Sequence, residues 1–95
     1  MVTAALDLRP DQLEEALRMS VEHVLRSRAE PGCISHDVYQ DVQDANRVLF
    51  MERWADRAAL EAHFAVPEAV AFSRAIGGMT TTRTRLEIHD VPDPD

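Results

Sequence analysis

The sequence predicts an α+β fold with its elements in the order βαββαβ, and three observations carry that expectation. Apolar residues alternate with polar ones in four stretches, Met1 to Leu8, Cys33 to Asp41, Val48 to Trp54 and Thr80 to Asp90. After the first and third of these, apolar side chains recur every three or four residues, as on one face of a helix. Breaker clusters separate the segments: Glu30-Pro31-Gly32, Asp44-Ala45-Asn46 and Gly77-Gly78. This order is that of a ferredoxin-like split βαβ unit, a four-stranded antiparallel sheet with helices on one face.

In the first strand, Val2, Ala4, Leu6 and Leu8 share a face, and Pro10 ends the run. Asp11 is placed to cap the first helix, with Glu14 three residues on as in a capping box. Its apolar stripe is read as Leu13, Ala16, Leu17, Val21, Val24 and Leu25, and it stops near Ala29. The second strand sets Ile34, His36 and Val38 against Ser35, Asp37 and Tyr39. The third sets Val48, Phe50, Glu52 and Trp54 against Leu49, Met51 and Arg53, so both of its faces are largely apolar. Asp56 can cap the next helix, whose stripe holds Leu60, His63 and Phe64. Val66-Pro67 interrupts it, and Ala69, Phe72, Ser73 and Ile76 continue a stripe to Gly77-Gly78. Residues 1–91 are expected to form one domain and 92–95 a frayed tail.

An apolar sheet face without helices wants a cover, and the same face of a second copy supplies one, so a homodimer is expected. The 95 residues carry ten basic side chains, all Arg, against seventeen acidic ones, for a net charge of −7. Phosphate recognition wants a basic face, so nucleic acid is not an expected partner. No apolar run reaches the roughly 20 residues of a membrane span, and Asp7 and Arg9 interrupt any signal-peptide pattern. A single cysteine, Cys33, excludes an internal disulfide and a cysteine-built zinc site. A soluble cytoplasmic protein follows as the expectation.

Candidate chemistry is sparse. There is no phosphate-cradling glycine loop and no serine nucleophile elbow. The four histidines, His23, His36, His63 and His89, lack close ligand spacing, so no metal site is expected unless the fold assembles one. His63, on an apolar stripe, reads either as a buried core histidine or as a proton acceptor at a pocket wall, since imidazole titrates near neutral pH. His36 and Tyr39 pose a similar choice, and Trp54 is either core or pocket wall. His23 and His89 are read as surface residues. Arg53, Arg85 and Glu87 are read as cross-strand charges at a dimer rim.

Several segments resemble the antibiotic biosynthesis monooxygenase family, small dimeric α+β barrel proteins that include quinol monooxygenases. These are Glu30-Pro-Gly-Cys-Ile-Ser35 with Tyr39-Gln-Asp41, and Phe50-Met-Glu-Arg-Trp54 followed by Asp56-Arg-Ala-Ala-Leu-Glu-Ala-His63. The resemblance runs from Val2 to about Val91. It implies a homodimer with sheets packed face to face and a sheet–helix pocket in each subunit. It also implies, for some members, oxygenation of phenolic rings by O₂ without metal, flavin or other prosthetic group. The substrate then supplies the electrons, and the protein supplies a dry pocket, a base and a donor for developing charge. Trp54 matches the pocket tryptophan of the polyketide-oxidising branch, but Phe50 and Leu60 stand where that branch has asparagine and tyrosine. The first strand lacks the asparagine of the heme-degrading branch, which argues against heme degradation. His63 matches a histidine common in quinol-monooxygenase-like members.

Two functions follow as expectations. One is a cofactor-independent monooxygenase acting on a small aromatic phenol, quinol or polyketide-like ring. In it His63 is the base, Trp54 the pocket wall and indole donor, and Phe50 and Phe72 the apolar clamp, with His36, Tyr39 and Leu60 as further substrate contacts. The other is a non-catalytic dimeric module that holds a small aromatic ligand in the same pocket.

Overall fold

The alternation of Val2, Ala4, Leu6 and Leu8 builds strand β1 (Val2–Asp7), and all four side chains are buried. The computed structural model describes residues 1–90; Val91 and the tail expected at 92–95 lie outside them. Four strands form one antiparallel sheet in the order β2-β3-β1-β4, with β2 at Cys33–Gln40, β3 at Arg47–Trp54 and β4 at Arg85–Ile88. Three helices accompany it: α1 (Leu13–Ser27), α2 (Arg57–Ala65) and α3 (Pro67–Gly77). The architecture is the ferredoxin-like α+β fold.

The core lies between sheet and helices. Ala4, Leu6 and Leu8 from the β1 segment and Val48 and Phe50 from β3 meet Ala16 and Val24 of α1 and Ile76 of α3. The register explains this layer: Ala4 pairs with Phe50 and Leu6 with Val48, so one face of both central strands is continuously apolar.

Several local expectations are corrected. Asp11 does not cap α1; it sits inside a short 3-10 turn at Pro10–Gln12 that Pro10 begins, and Gln12 takes the cap position without a side-chain bond. The inward face of α1 is Ala16, Ser20, His23, Val24 and Ser27, while Val21 and Leu25 point outward, Leu25 being 58% exposed. Ser20 and Ser27 are tolerated there because each hydroxyl donates to the carbonyl four residues back, at 2.7 Å. Ile34 is 60% exposed, and the strand register shifts between Cys33 and Ser35, which takes it out of the His36–Val38 row. The last strand is shorter than Thr80–Asp90, because Thr80 makes only an isolated bridge to Leu8 before β4 begins. Arg85 does pair across strands, with Asp7 of β1 at 3.5 Å, whereas Glu87 pairs with His89 at 3.1 Å on its own strand end.

Asp56 does cap α2, its carboxylate accepting from the Ala59 amide at 2.8 Å. Val66-Pro67 separates α2 from α3, with Pro67 in the first turn of α3. Gly32, in the turn before β2, has φ +83°, and a Cβ there would lie 2.5 Å from the Ala59 Cβ. Only glycine allows both the backbone turn and the close approach of α2. Among the described residues, no helix is long and apolar enough to cross a membrane.

Candidate active site

Five elements deliver polar side chains to one buried point. β3 contributes Glu52, which shares a face with Val48 and Phe50; β2 contributes His36, paired in register with Glu52. α2 contributes His63, α1 contributes His23, and the α1–β2 turn contributes Glu30. His23, His36, Glu52 and His63 are all buried, His36 completely. The expectation of a surface position for His23 fails because the helix face was read one step out of phase: His23 lies on the inward row and is 8% exposed.

Glu52 is the hub. Its Oε1 accepts from the Trp54 indole at 3.0 Å, and lies 3.3 Å from His36 Nε2 and 3.7 Å from His63 Nε2. His63 Nδ1 sits 2.9 Å from Glu30 Oε1. Because a carboxylate only accepts, this contact places a proton on Nδ1, and in the neutral ring the lone pair is then on Nε2. The Trp54 ring lies over His63 with centroids 4.6 Å apart, and His23 stacks on Phe72 at 4.1 Å with 8° between planes. The three imidazoles surround a common centre, with centroid separations of 5.1, 5.5 and 5.6 Å.

Burial and charge set the ionisation of the cluster. Burial, then the neighbouring His36, Arg26 and His63, push His23 down to about 3, so it is neutral at pH 7. Burial raises the Glu52 carboxyl, but His36, the Trp54 indole and His63 outweigh it and hold the group below its usual range. Glu52 is therefore a buried carboxylate that remains charged.

Above this cluster opens a cavity of about 470 Å³ between the sheet and α3. His23, Glu52 and His63 reach its floor, Phe50, Phe72 and Ile76 form apolar walls, and Ser73, Arg74 and Thr84 add polar groups to the lining. That size suits a small-molecule site. Of the residues singled out from sequence, His63, Phe50 and Phe72 line this cavity. His36 lies against Glu52 and the other imidazoles. Trp54 and Leu60 line a separate hollow of about 400 Å³ with Val2 and Ile88, and the indole N–H is committed to Glu52. Tyr39 is not brought to the site: it is 53% exposed and lines a hollow with Ala5 and Leu49, residues of the alternate strand positions. Sequence reasoning passed over Glu30 and His23 as functional groups, and set Glu52, on the pocket-facing row, aside as a poorer base that pairs with an Arg. Glu52 gave a usable signal, a lone carboxylate between Phe50 and Trp54 on an inward row; His23 and Glu30 gave none outside the fold.

Relatives share this fold. The family model described as antibiotic biosynthesis monooxygenase matches residues 1–75. The uncharacterized protein sll1783 of Synechocystis is 42% identical over 93 residues, which is 98% of this chain and 63% of that protein. The chain thus spans less than two thirds of that relative's length. Rv0793 of Mycobacterium tuberculosis is 35% identical over 74 residues, 77% of this chain and 71% of that protein. Its solved structure has a TM-score of 0.87 at 28% identity, covering 98% of this chain and 94% of that one. A crystal structure of an antibiotic biosynthesis monooxygenase has the same TM-score, 0.87, at 28% identity, over 96% of this chain and 97% of that one. The chain belongs to the antibiotic biosynthesis monooxygenase family.

Proposed function

We propose that the chain is a cytoplasmic, cofactor-independent monooxygenase that oxidises a small phenol, quinol or polyketide-like ring with O₂. The observation that carries this reading is His63, buried at the floor of an apolar cavity with its tautomer fixed by Glu30 at 2.9 Å. A phenolic substrate lying between Phe50 and Phe72 presents its hydroxyl to Nε2, which takes the proton. The proton then lies 3.7 Å from the Glu52 carboxylate, a fixed charge that needs no solvent reorganisation. The electron-rich phenolate reduces O₂. One oxygen atom ends on the ring and the other in water, both electron pairs coming from the substrate. Apolar walls keep the reacting anion away from bulk water.

The test is oxygen uptake by the chelator-treated protein with a panel of hydroquinones and naphthols. Uptake is expected, and His63→Ala should lower turnover by ~10²–10⁴. Tight binding of the panel with no uptake would instead identify a ligand-holding module, and an unchanged rate in His63→Ala would remove the base.

The homodimer belongs to the same proposal. Ala5, Tyr39, Leu49 and Met51 share the helix-free face, where a hollow of about 290 Å³ lies open among the first three. A second copy packed on that face removes this apolar area from water. Sedimentation should give a dimer at micromolar concentration and a monomer for Leu49→Arg. A stable wild-type monomer would end the idea.

A further inference from the structure

Three imidazoles from three separate elements converge where the oxygenase reading needs only one. The ligand-capable atoms of His23, His36 and His63 all lie within 4.8 Å of one another, and all three side chains are buried. A four-coordinate site with metal–nitrogen bonds of ~2.0–2.1 Å sets its nitrogens about 3.4 Å apart. Closing from the observed separations therefore asks each ring to move by about an ångström, within reach of side-chain rotation.

His36 supplies the independent sign of a missing ligand. It is completely buried, and while Nε2 approaches the Glu52 carboxylate at 3.3 Å, Nδ1 has no hydrogen-bond partner at all. A buried ring nitrogen left without a partner calls for an explanation, and a bound ion supplies one. His63 shows the arrangement common to metal-bound histidines, with Nδ1 held by a carboxylate and Nε2 turned inward. Glu52 Oε1, beside both Nε2 atoms, supplies a charged fourth donor or a counter-charge.

We propose that His23, His36 and His63 bind one late first-row divalent cation of the Zn²⁺ or Co²⁺ class, with Glu52 as its anionic partner. Imidazole donors suit that class, whereas Mg²⁺ and Ca²⁺ want oxygen ligands. One adjustment is required. Arg26 Nη2 lies 2.8 Å from His23 Nδ1, and a guanidinium only donates, so the free chain carries the His23 proton on Nε2. Ligation through Nε2 moves that proton to Nδ1 and turns Arg26 toward Glu30 and Glu68, already 3.5 and 3.9 Å away. The site stands without the oxygenase reading, and an ion held there takes the lone pair that the proposed base would use.

The test is titration of the chelator-stripped full chain with Co²⁺, followed by its visible ligand-field band and by calorimetry, with Zn²⁺ as competitor. One ion per chain is expected, displaced by Zn²⁺. Melting should rise by roughly 10–20 °C at a free ion concentration near 100 times Kd. His36→Leu, checked for folding by circular dichroism, should lose both the band and the rise in melting. His89→Ala, at an exposed histidine beside Glu87, should keep both. Glu30→Gln should weaken affinity by ~10–100-fold by loosening His63. The proposal is overturned if the wild type takes up no stoichiometric ion, or if His36→Leu binds as tightly as the wild type. Should His36→Leu not fold, an unchanged affinity in Glu30→Gln overturns it instead.

Discussion

Replacing Gly32 by Ala should destabilise the protein through two separable effects. The backbone there has φ +83°, a left-handed conformation that costs an L-residue about 1–2 kcal/mol. The new Cβ would also lie 2.5 Å from the Ala59 Cβ, and since this neighbour is a short helical side chain, relief requires α2 to move. Overpacking of that kind costs about 1–3 kcal/mol. The sum, roughly 2–5 kcal/mol, is a large part of the ~5–15 kcal/mol that holds a domain folded. At ~4–8 °C per kcal/mol for a domain of this size, melting should fall by at least about 8 °C. The two parts separate in a double-mutant cycle. Ala59→Gly costs about 1 kcal/mol in helix propensity but removes the atom that the new methyl meets. In that background Gly32→Ala should cost only its backbone part, giving a favourable coupling of about 1–3 kcal/mol. Urea unfolding of the four proteins measures it. Equal cost of Gly32→Ala in both backgrounds would refute the contact and leave only the dihedral.

Other outcomes follow from contacts already described. Asp56→Ala should cost about 1 kcal/mol in urea unfolding, because the Ala59 amide loses its cap. Trp54→Phe keeps the ring over His63 but removes the indole donor from the buried Glu52 carboxylate, and should cost about 1.5–3 kcal/mol; no loss would mean that Glu52 has another partner. The bond from Thr82, then Arg47, holds the Asp7 carboxyl below its ordinary value of 3.8. As pH falls below 3.8 the unfolded chain therefore takes the proton first, and stability present above that pH is lost as pH drops through the folded value. Asp7→Asn should narrow its gap to the wild type across that acid range; a gap independent of pH would contradict the assignment.

The fold was legible because its signals were local. Alternation at Val2–Leu8 and Val48–Trp54, the Asp56 cap and the Pro67 break each declare an element without help from the rest of the chain. The site was legible only where a residue shared a row with apolar neighbours, as His63 does with Leu60. His23 was misread because α1 buries Ser20 and Ser27 in place of Val21 and Leu25, and hydroxyls that bond back to their own helix are invisible to a hydrophobic pattern. Ile34 was misplaced by a register shift of a single position, which no spacing rule marks. Glu30 became part of the site only through the turn at Gly32, a contact 33 residues apart in sequence from His63.

The floor and the walls of the cavity come from parts of the chain with unequal structural burdens. Phe50 and Glu52 sit on β3, paired on both sides, and His36 is fully buried on the adjoining β2, so a wrong residue at any of them disturbs the fold itself. The opposite side is lined from α3, which buries only Ala69 and Ile76, and from β4, none of whose four residues is buried. Exchanges at Val70, Ser73, Thr84 or Leu86 therefore reshape the cavity at little cost in folding free energy. A lineage carrying this architecture can wander through ligand shapes by drift along that rim, well above the threshold at which the chain fails to fold, while its polar centre stays fixed.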